Sequence, residues 1–317
     1  MVESAASPPR VLALIPLQHA AHAALDARYD LCAAPGASSD EAIERFGPGG
    51  VRAVVTNGSV GITSAQLARL PGLEIVCAFG AGYENIDGAA ARGRGIIVTH
   101  APGANDATVA DHALGLMLAV ARGFTLLDPA LRQGGWHKLR SERATLNGGR
   151  LGLIGLGRIG AKIATRAAAF DMQVAYFTRT PRSDVPWRHC ASVLELAHDS
   201  DFLVVACPGG AATRHLVNAD VLAALGLGGI LINISRGSVV DSAALAAALD
   251  AGAIAGAGLD VFEGEPDIPP ALLASRNTVF TPHVAGRSPA AVALQTDMLL
   301  AALDAHFAGS SVAFQLP

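Results

Sequence analysis

The feature that most constrains the fold of this chain is a glycine-rich loop between an apolar segment and a helix-like segment. Residues 151–160 read LGLIGLGRIG, and Ala161–Phe170 continues with a helical pattern. Gly155 permits a tight turn, Gly157 lets the backbone approach a pyrophosphate, and Gly160 lets the helix pack closely on the strand. A bare GxGxxG is a weak signal, but here a strand precedes it, and a helix and a second strand follow. The loop therefore predicts a dinucleotide-binding βαβ unit.

Composition and charge limit the class of protein. With 317 residues, the chain suits two domains of ordinary size. Hydrophobic residues make up 51% and charged residues 16%, which favours large buried cores and argues against disorder. Lys and Arg number 23 against 27 for Asp and Glu, a formal charge of −4, and no block of like charge stands out. We therefore expect no nucleic acid and no membrane among its partners.

The cysteines and the first residues indicate the compartment. Cys32, Cys77, Cys190 and Cys207 are far apart and form no CxxC pair, so we expect neither a disulfide framework nor a metal site. The start is small and polar. The apolar run that follows, Val11–Leu17, is short and suits a strand rather than a signal peptide or a membrane span. These features predict a reduced, soluble, cytoplasmic protein.

Short apolar runs alternate with helical patterns along both halves of the chain. The runs that we predict as strands are Val11–Leu17, Ala53–Thr56, Leu73–Phe79 and Ile96–Thr99, then Leu151–Ile154, Gln173–Phe177, Phe202–Ala206, Ile230–Ile234, Gly256–Val261 and Thr278–Thr281. The predicted helices include Thr63–Leu70, Asn105–Phe124, Ala161–Phe170, Ala243–Ala251 and Pro289–His306. This βαβ alternation predicts an α/β fold with two Rossmann-like, doubly wound parallel-sheet domains.

The segment Asn105–Phe124 is unusual for a surface helix. It is long, rich in Ala, Leu, Gly and Met, and carries few charges on any face. A helix that is apolar all round is normally covered on more than one side, either within one chain or at a subunit interface. We take the subunit interface as the prediction and expect a homodimer built around this segment.

Three ionisable residues follow predicted strands in the second half: Arg236, Glu265 and His283. Ligands of open α/β sheets bind at the carboxyl ends of the strands, so the three can converge on one crevice. Arg presents a planar fork that matches a carboxylate, and His exchanges its proton near neutral pH. Taken singly, they could be an ion-paired arginine, a solvated acid and a loop histidine. Together with the glycine loop, they suit reduction of a 2-oxo acid, which needs a cation, a proton donor and a hydride source.

The sequence resembles the D-isomer-specific 2-hydroxy acid dehydrogenase family from the first strand to about Gly286. The matching motifs are GLGRIG, NISRG, AGAGLDVFEGEP and TPHVAG, in the family's order and spacing. The resemblance implies that Arg236 orients the substrate and that His283 is the general acid and base. It also implies that Glu265 holds His283 and favours the charged imidazolium.

The resemblance further implies contacts with cofactor and substrate. Asp260 would contact the nicotinamide carboxamide, and the backbone N–H groups of Ala81 and Gly82 would bind the substrate carboxylate. The other cofactor contacts suggested by the resemblance or by the glycine loop are Gly155, Leu156, Gly157, Arg158, Ile159, Gly160, Thr108, Cys207, Pro208 and Ile234. Position alone adds Asn57, Ser59, Trp136 and Arg287 as candidates for the substrate pocket. Trp136 could equally be a core or interface aromatic.

In this family the dinucleotide-binding domain is inserted into the substrate-binding domain. The resemblance therefore implies a substrate-binding (catalytic) domain at 1–100 and 284–317 and a dinucleotide-binding Rossmann domain at 101–283. It places the active site in the cleft between the two. The sequence departs from the family after TPHVAG, where Arg287-Ser288-Pro289 replaces the usual small residues, Thr and acid.

The turn after the strand Gln173–Phe177 indicates the choice of nucleotide. An NAD site usually has Asp or Glu about twenty residues past the glycine loop, where it binds the ribose 2′-OH. Here Thr178 takes that position, and Arg179, Thr180 and Arg182 follow. Two hydroxyls and two guanidinium groups suit a 2′-phosphate, which a carboxylate would repel. The turn predicts NADP as cofactor, with NADPH preferred over NADH; a solvated basic turn is the alternative.

The segment Ala206–Gly210, together with the cofactor signal, resembles the NADPH-dependent glyoxylate and hydroxypyruvate reductase branch of the family. This resemblance implies a small, polar 2-oxo acid as substrate. Two alternatives stay open: a reductase for larger or aromatic 2-oxo acids, and a non-catalytic, dinucleotide-sensing protein of the corepressor type. Retention of Arg236, Glu265 and His283 favours an enzyme. Formate dehydrogenases of the same fold are expected to carry Gln where this chain has Glu265.

Overall fold

The chain forms two α/β units, each built on a parallel sheet. A computed structural model describes residues 7–136 and 140–316. The strands are β1 (Arg10–Ala13), β2 (Asp30–Ala33), β3 (Ala53–Thr56), β4 (Ile75–Ala78), β5 (Ile97–Thr99), β6 (Arg150–Ile154), β7 (Gln173–Phe177), β8 (Arg188–His189), β9 (Phe202–Val205), β10 (Ile230–Asn233), β11 (Gly256–Leu259) and β12 (Thr278–Phe280). The helices are α1 (His19–Asp26), α2 (Ser39–Phe46), α3 (Ser64–Ala68), α4 (Gly88–Gly93), α5 (Asp106–Arg122), α6 (Phe124–Arg132), α7 (Arg158–Ala168), α8 (Val193–His198), α9 (Ala219–Leu225), α10 (Ser242–Asp250), α11 (Pro270–Leu273) and α12 (Pro289–Phe307).

The first unit consists of Met1–Asn105 and Arg287–Pro317. Its five parallel strands lie in the order β2-β1-β3-β4-β5. Successive side chains of a strand point to opposite faces, so Val11 packs with α1 and α12, whereas Leu12 packs with α2, α3 and α4. Both faces are covered, which explains why these strands are continuous apolar runs rather than alternating ones.

The second unit consists of Asp106–Gly286. Its seven parallel strands lie in the order β12-β11-β10-β9-β6-β7-β8. The chain builds outward from β6 through β7 to β8, then crosses to β9 on the other side of β6. The strand order therefore reverses between β6 and β9, the place where open α/β sheets bind ligands. The predicted α/β fold with two parallel-sheet domains is confirmed.

The predicted helix at Asn105–Phe124 is divided in the structure. Helix α5 ends at Arg122, and Gly123 takes a left-handed conformation at φ +68° before α6 begins. Most apolar side chains of α5 are buried in the core of the second unit, against α7 and the sheet. The interpretation of this segment as mainly a subunit interface is therefore corrected, because its apolar faces are largely covered within one unit.

A helix that spans a membrane must be both long and apolar. No single helix within residues 7–136 and 140–316 is both long and apolar enough. Only α5 and α6 taken together are long and apolar enough by composition, and the two helices are bent by 57° at Gly123.

Two strands were missed by the sequence analysis, and both lie at sheet edges. β2 contains Asp30 and pairs only with β1, while β8 has two polar residues and pairs only with β7. An edge strand is held by one neighbour, so its sequence needs no long apolar run. The predicted strand Val11–Leu17 is correspondingly too long, since β1 ends at Ala13.

Candidate active site

The loops that carry Arg236, Glu265 and His283 follow three adjacent strands. β10, β11 and β12 are neighbouring parallel strands of the second unit. Arg236 follows β10, Glu265 lies in the loop after β11, and His283 follows β12. Because the carboxyl ends of parallel strands lie at one edge of a sheet, the strand order brings these three loops to the same edge.

His283 and Glu265 form a hydrogen-bonded pair. Nδ1 of His283 lies 2.9 Å from Oε2 of Glu265. The other carboxylate oxygen, Oε1, accepts the backbone N–H of Phe262 at 2.8 Å. An ionised carboxylate can only accept, so Nδ1 of the imidazole carries the proton in this contact. The arrangement leaves Nε2 as the ring nitrogen that can exchange a proton with a bound molecule.

The environment of Glu265 keeps its carboxylate charged. Burial opposes the charged form, but the hydrogen bonds from His283 and from the backbone of Phe262 outweigh it. The positive charges of His283 and Arg236 add to their effect, and the pKa of Glu265 is lowered from its ordinary value. A carboxylate that stays ionised can stabilise the imidazolium form of His283 throughout the neutral range.

Close backbone approaches fix the loops around Arg236. A side chain at Gly237 would collide with the Phe262 backbone, since its Cβ would lie 1.8 Å from that carbonyl carbon. The Arg236 stem lies against Gly209, where a Cβ would be 2.7 Å from the Cγ of Arg236. Nη1 of Arg236 donates to the carbonyl of Ser235 at 2.7 Å. Two glycines therefore let the loops after β9, β10 and β11 pack directly on one another.

The glycine loop has the geometry that a dinucleotide requires. Gly155 is left-handed at φ +99°, and a Cβ there would lie 2.7 Å from the backbone nitrogen of Cys207. A Cβ at Gly160 would lie 2.4 Å from the carbonyl oxygen of Gly155, whereas a Cβ at Gly157 would meet nothing within 4 Å. The loop is thus tightly packed at Gly155 and Gly160 and open at Gly157, directly before α7. Open space at the N-terminus of an eleven-residue helix fits a pyrophosphate.

The other predicted cofactor contacts differ in their exposure to solvent. Arg158 is already in an ion pair, since its Nε lies 2.7 Å from Oδ2 of the buried Asp106. Leu156 and Ile234 are buried; Ile159, Thr108 and Cys207 are partly buried, and Pro208 is exposed. In the part of the chain that the structure describes, no group of three His, Cys, Asp or Glu side chains could hold a metal ion.

The four residues proposed to read a 2′-phosphate are not four free donors. Thr178 donates its hydroxyl proton to the carbonyl of Thr180 at 2.7 Å. Arg182 is paired with Asp184 and also donates to the carbonyl of Leu156 at 2.7 Å. Arg179 is exposed and makes no hydrogen bond or ion pair within residues 7–136 and 140–316. Among the described residues, no carboxylate pairs with the guanidinium of Arg179, whereas that of Arg182 is already paired with Asp184.

The first unit holds the predicted carboxylate-binding loop. Gly80 follows β4 at φ +131°, and its carbonyl accepts the N–H of Ala101 at 2.8 Å. Nδ1 of His100 lies 3.0 Å from the carbonyl of Ala81, the residue before Gly82. These contacts engage the carbonyls of Gly80 and Ala81. Within the described residues, the backbone N–H groups of Ala81 and Gly82 donate no hydrogen bond.

The remaining pocket candidates lie on different segments of the two units. Asn57 follows β3, and its side-chain oxygen accepts the backbone N–H groups of Ser59 and Val60 at 3.0 and 2.8 Å. Asn57 therefore shapes its own turn. Trp136 is exposed, and Arg287 is an exposed residue of the first unit, next to the N-cap of α12.

Sequence reasoning missed two polar residues behind His283. Thr281 directly precedes Pro282 in the TPHVAG motif, and His112 lies on α5, which also carries Asp106, Thr108 and Asp111. The signal available in the sequence was the histidine itself, because a partly buried polar side chain on a helix needs a hydrogen-bond partner. The identity of that partner depends on the fold.

The chain is similar to known proteins over most of its length. Residues 114–285 match the family model of the D-isomer specific 2-hydroxyacid dehydrogenase, NAD binding domain. The chain is 42% identical over 263 residues to hydroxyphenylpyruvate reductase of Plectranthus scutellarioides, covering 82% of this chain and 83% of that protein. It is also 42% identical over 263 residues to glyoxylate/hydroxypyruvate reductase A of Arabidopsis thaliana, covering 83% and 84%.

A solved structure is similar over nearly the whole chain. The NADPH-dependent glyoxylate/hydroxypyruvate reductase of Sinorhizobium meliloti, in complex with NADP and malonate, matches with a TM-score of 0.89 and 38% identity. The match covers 98% of this chain and 97% of that one. The family model and these relatives establish a pyridine-nucleotide enzyme, and the chain belongs to the D-isomer-specific 2-hydroxyacid dehydrogenase family.

Proposed function

We propose that this protein reduces a small 2-oxo acid, of the glyoxylate or hydroxypyruvate type, to the D-2-hydroxy acid. The observation that carries the proposal is the His283–Glu265 pair at 2.9 Å, on loops at the same sheet edge as the loop of Arg236. The set supplies a proton donor, an anion that stabilises it and a cation for a carboxylate. The relatives named glyoxylate/hydroxypyruvate reductase support the substrate class.

In the proposed mechanism, Arg236 orients the substrate through its carboxylate. A nicotinamide nucleotide, held by the glycine loop and the N-terminus of α7, would supply the hydride to the carbonyl carbon. Nε2–H of the His283 imidazolium donates its proton to the carbonyl oxygen as negative charge develops there. Glu265 stabilises the imidazolium before the transfer. One hydride and one proton thus convert the 2-oxo acid into the 2-hydroxy acid.

A panel of 2-oxo acids tests the substrate class. We expect glyoxylate or hydroxypyruvate to give a higher kcat/KM than pyruvate analogues with bulky side chains, each assayed with NADPH and NADH. The relative named hydroxyphenylpyruvate reductase supports the second candidate, an aromatic 2-oxo acid. If hydroxyphenylpyruvate exceeded both small acids by about tenfold in kcat/KM, equivalent to 1.4 kcal/mol, the aromatic substrate would replace the small one.

We further propose that NADPH is preferred over NADH and that Arg179 is the main reason. Within residues 7–136 and 140–316, it is the guanidinium of the turn after β7 that pairs with no carboxylate. A charge-assisted contact with a phosphate contributes about 1.5–3 kcal/mol. Arg182 is instead neutralised by Asp184. The Arg179→Ala variant is therefore expected to lose about tenfold or more in kcat/KM with NADPH, while its activity with NADH changes little.

The control for Arg179 is Arg276→Ala. Arg276 is an exposed arginine of the same unit and lies in the loop before β12, away from the turn after β7. Its loss changes the net charge of the unit equally and should leave the ratio of NADPH to NADH activity as in the wild type. Equal losses with both nucleotides in Arg179→Ala would show that Arg179 does not read the 2′-phosphate.

We also propose that the protein forms a homodimer through α6 and the residues just after it. Large apolar side chains are exposed there: Phe124 is 55%, Leu126 53%, Leu131 51% and Trp136 59% exposed. None of the α6 residues is buried in the described chain. Burying these side chains against a second copy would remove apolar surface from water.

Light scattering of charged variants tests this interface. The wild type should have the mass of a dimer at micromolar concentration, and Leu126→Glu should shift it toward the monomer. Leu227→Glu is the matched control, because Leu227 is 79% exposed in the loop before β10 and is not part of the α6 surface. A wild type that is monomeric, or a Leu126→Glu variant that stays dimeric, would contradict the assignment.

A further inference from the structure

Thr281 and His112 form a hydrogen-bonded chain behind the loop of His283. The hydroxyl of Thr281 donates to Oδ1 of Asp260 at 2.6 Å. Nε2 of His112, on α5, lies 2.9 Å from the same hydroxyl oxygen. Thr281 has one hydroxyl proton and Asp260 is an acceptor, so the hydroxyl oxygen accepts from the Nε2–H of His112. The chain therefore runs in one direction, from His112 through Thr281 to Asp260.

Asp260 is the anchor of the loop. Its side chain is 1% exposed, so each of its oxygens needs hydrogen-bond donors. Oδ1 also accepts the N–H of Val284 at 2.9 Å, and Oδ2 accepts the N–H of Ala285 at 2.9 Å. The backbone carbonyl of Asp260 accepts the N–H of His283 at 2.8 Å. One buried residue thus holds the chain at His283 and at the two residues after it.

The backbone of His283 is in a conformation that requires such support. Its φ is +51°, in the left-handed region that residues with a Cβ rarely adopt. A strained backbone of this kind persists only where the surrounding contacts over-determine it. The hydrogen bonds to Asp260 are those contacts: its backbone carbonyl accepts the N–H of His283, and its carboxylate accepts those of Val284 and Ala285. The donation from Thr281 fixes that carboxylate.

We propose that Thr281 and His112 are positioning residues for proton transfer from His283. The inference rests on the reduction proposed above and adds two residues that act through Asp260 rather than on the substrate. Replacing Thr281 by Val keeps the shape but removes one donor from Asp260 and the hydroxyl that accepts the Nε2–H of His112. Nε2 of His112 lies 3.6 Å from Oδ1 of Asp260, which is too far for a hydrogen bond that would replace the lost one. The loop then loses its left-handed geometry for part of the time, and Nε2 of His283 is misplaced from the carbonyl oxygen.

Thr281→Val and Thr281→Ser test the proposal, with Thr278→Val as the matched control. Thr278 lies on β12, and its hydroxyl donates to the Ser275 carbonyl instead of to Asp260. A small misplacement of a catalytic group can cost up to about a hundredfold in rate, so we expect kcat of Thr281→Val to fall by about tenfold or more. KM should stay within about twofold, because Arg236 still binds the carboxylate. Thr281→Ser should restore kcat, and Thr278→Val should resemble the wild type.

His112 is tested in the same way. His112→Leu removes the donor to Thr281 and should lower kcat in the direction of Thr281→Val. His112→Gln places an amide N–H near the position of Nε2 and should recover part of the loss. A purely structural role for His112 would lower the melting temperature of both variants without separating their kcat values.

A second readout does not depend on turnover. Hydrogen exchange of residues 281–286 reports the opening of the loop, because the N–H groups of Val284 and Ala285 donate to Asp260. We expect faster exchange there in Thr281→Val and wild-type exchange in Thr281→Ser and Thr278→Val. Unchanged kcat and exchange in Thr281→Val, or an equal loss in Thr278→Val, would overturn the proposal. A wild type inactive on every 2-oxo acid would instead defeat the proposed reduction, and the exchange data alone would then decide whether Thr281 holds the loop.

Discussion

Replacing His283 with Ala is expected to lower kcat for reduction by about 10²–10⁴-fold, the contribution of a positioned general acid. Its Nδ1–H is committed to Glu265, which leaves Nε2–H to protonate the oxygen that receives negative charge. Ala removes this donor and leaves Oε2 of Glu265 without its partner, while Oε1 still accepts the N–H of Phe262. The measurement is kcat at saturating 2-oxo acid and nucleotide, together with the dissociation constant of the nucleotide.

The nucleotide should still bind to the His283→Ala variant, because the glycine loop and α7 are not touched by the change. His198→Ala serves as the matched control. His198 lies on α8 of the same unit, is 79% exposed and contacts only Asp199 among the residues described. If kcat of His283→Ala stayed within a few-fold of the wild type, proton donation by His283 would be refuted.

Glu265→Gln is expected to move the pH dependence of reduction toward lower pH. The carboxylate has a lowered pKa, so it is charged from mildly acidic to alkaline conditions and stabilises the imidazolium throughout. Gln is neutral at every pH and lacks this attraction. An opposite charge at hydrogen-bond distance favours the charged form of its partner, so the pH above which kcat/KM falls should be lower in this variant than in the wild type.

The sign of this shift follows from which form is active. Reduction needs protonated His283, so activity is present at low pH and lost as the imidazolium loses its proton. Without Glu265 that loss comes earlier as the pH rises, and kcat/KM at pH 8 falls further below the wild type than at pH 6. Glu263→Gln is the control on the same loop, because Glu263 pairs with His215 and Arg214 instead of His283. An unchanged profile in Glu265→Gln would contradict the pairing.

Local patterns in the sequence determined the fold class and the family. The strands that lie inside the sheets are continuous apolar runs, since both of their faces are buried, and β3 and β7 have the predicted bounds. The contact of Gly160 with the carbonyl of Gly155 lies within the loop, and Gly155 has a left-handed φ, so the motif could be recognised from the local sequence. The close approach of Gly155 to Cys207 was not visible there. Arg236, Glu265 and His283 follow strands, and the parallel order of those strands was enough to expect them at one edge.

The tertiary structure decided what depends on partners distant in sequence. Thr281 and His112 are 169 positions apart, so no local pattern could join them behind the loop of His283. The pairing of Arg182 with Asp184 is local, but whether a guanidinium donates to a neighbour or stays free depends on the conformation of the turn. The helix is divided at Gly123, which has a φ of +68°. Nine residues of α5 are buried, whereas no residue of α6 is. Composition alone could not predict which segment is buried within the unit and which is exposed. An apolar helix can bury its hydrophobic surface either within its own unit or against a second chain.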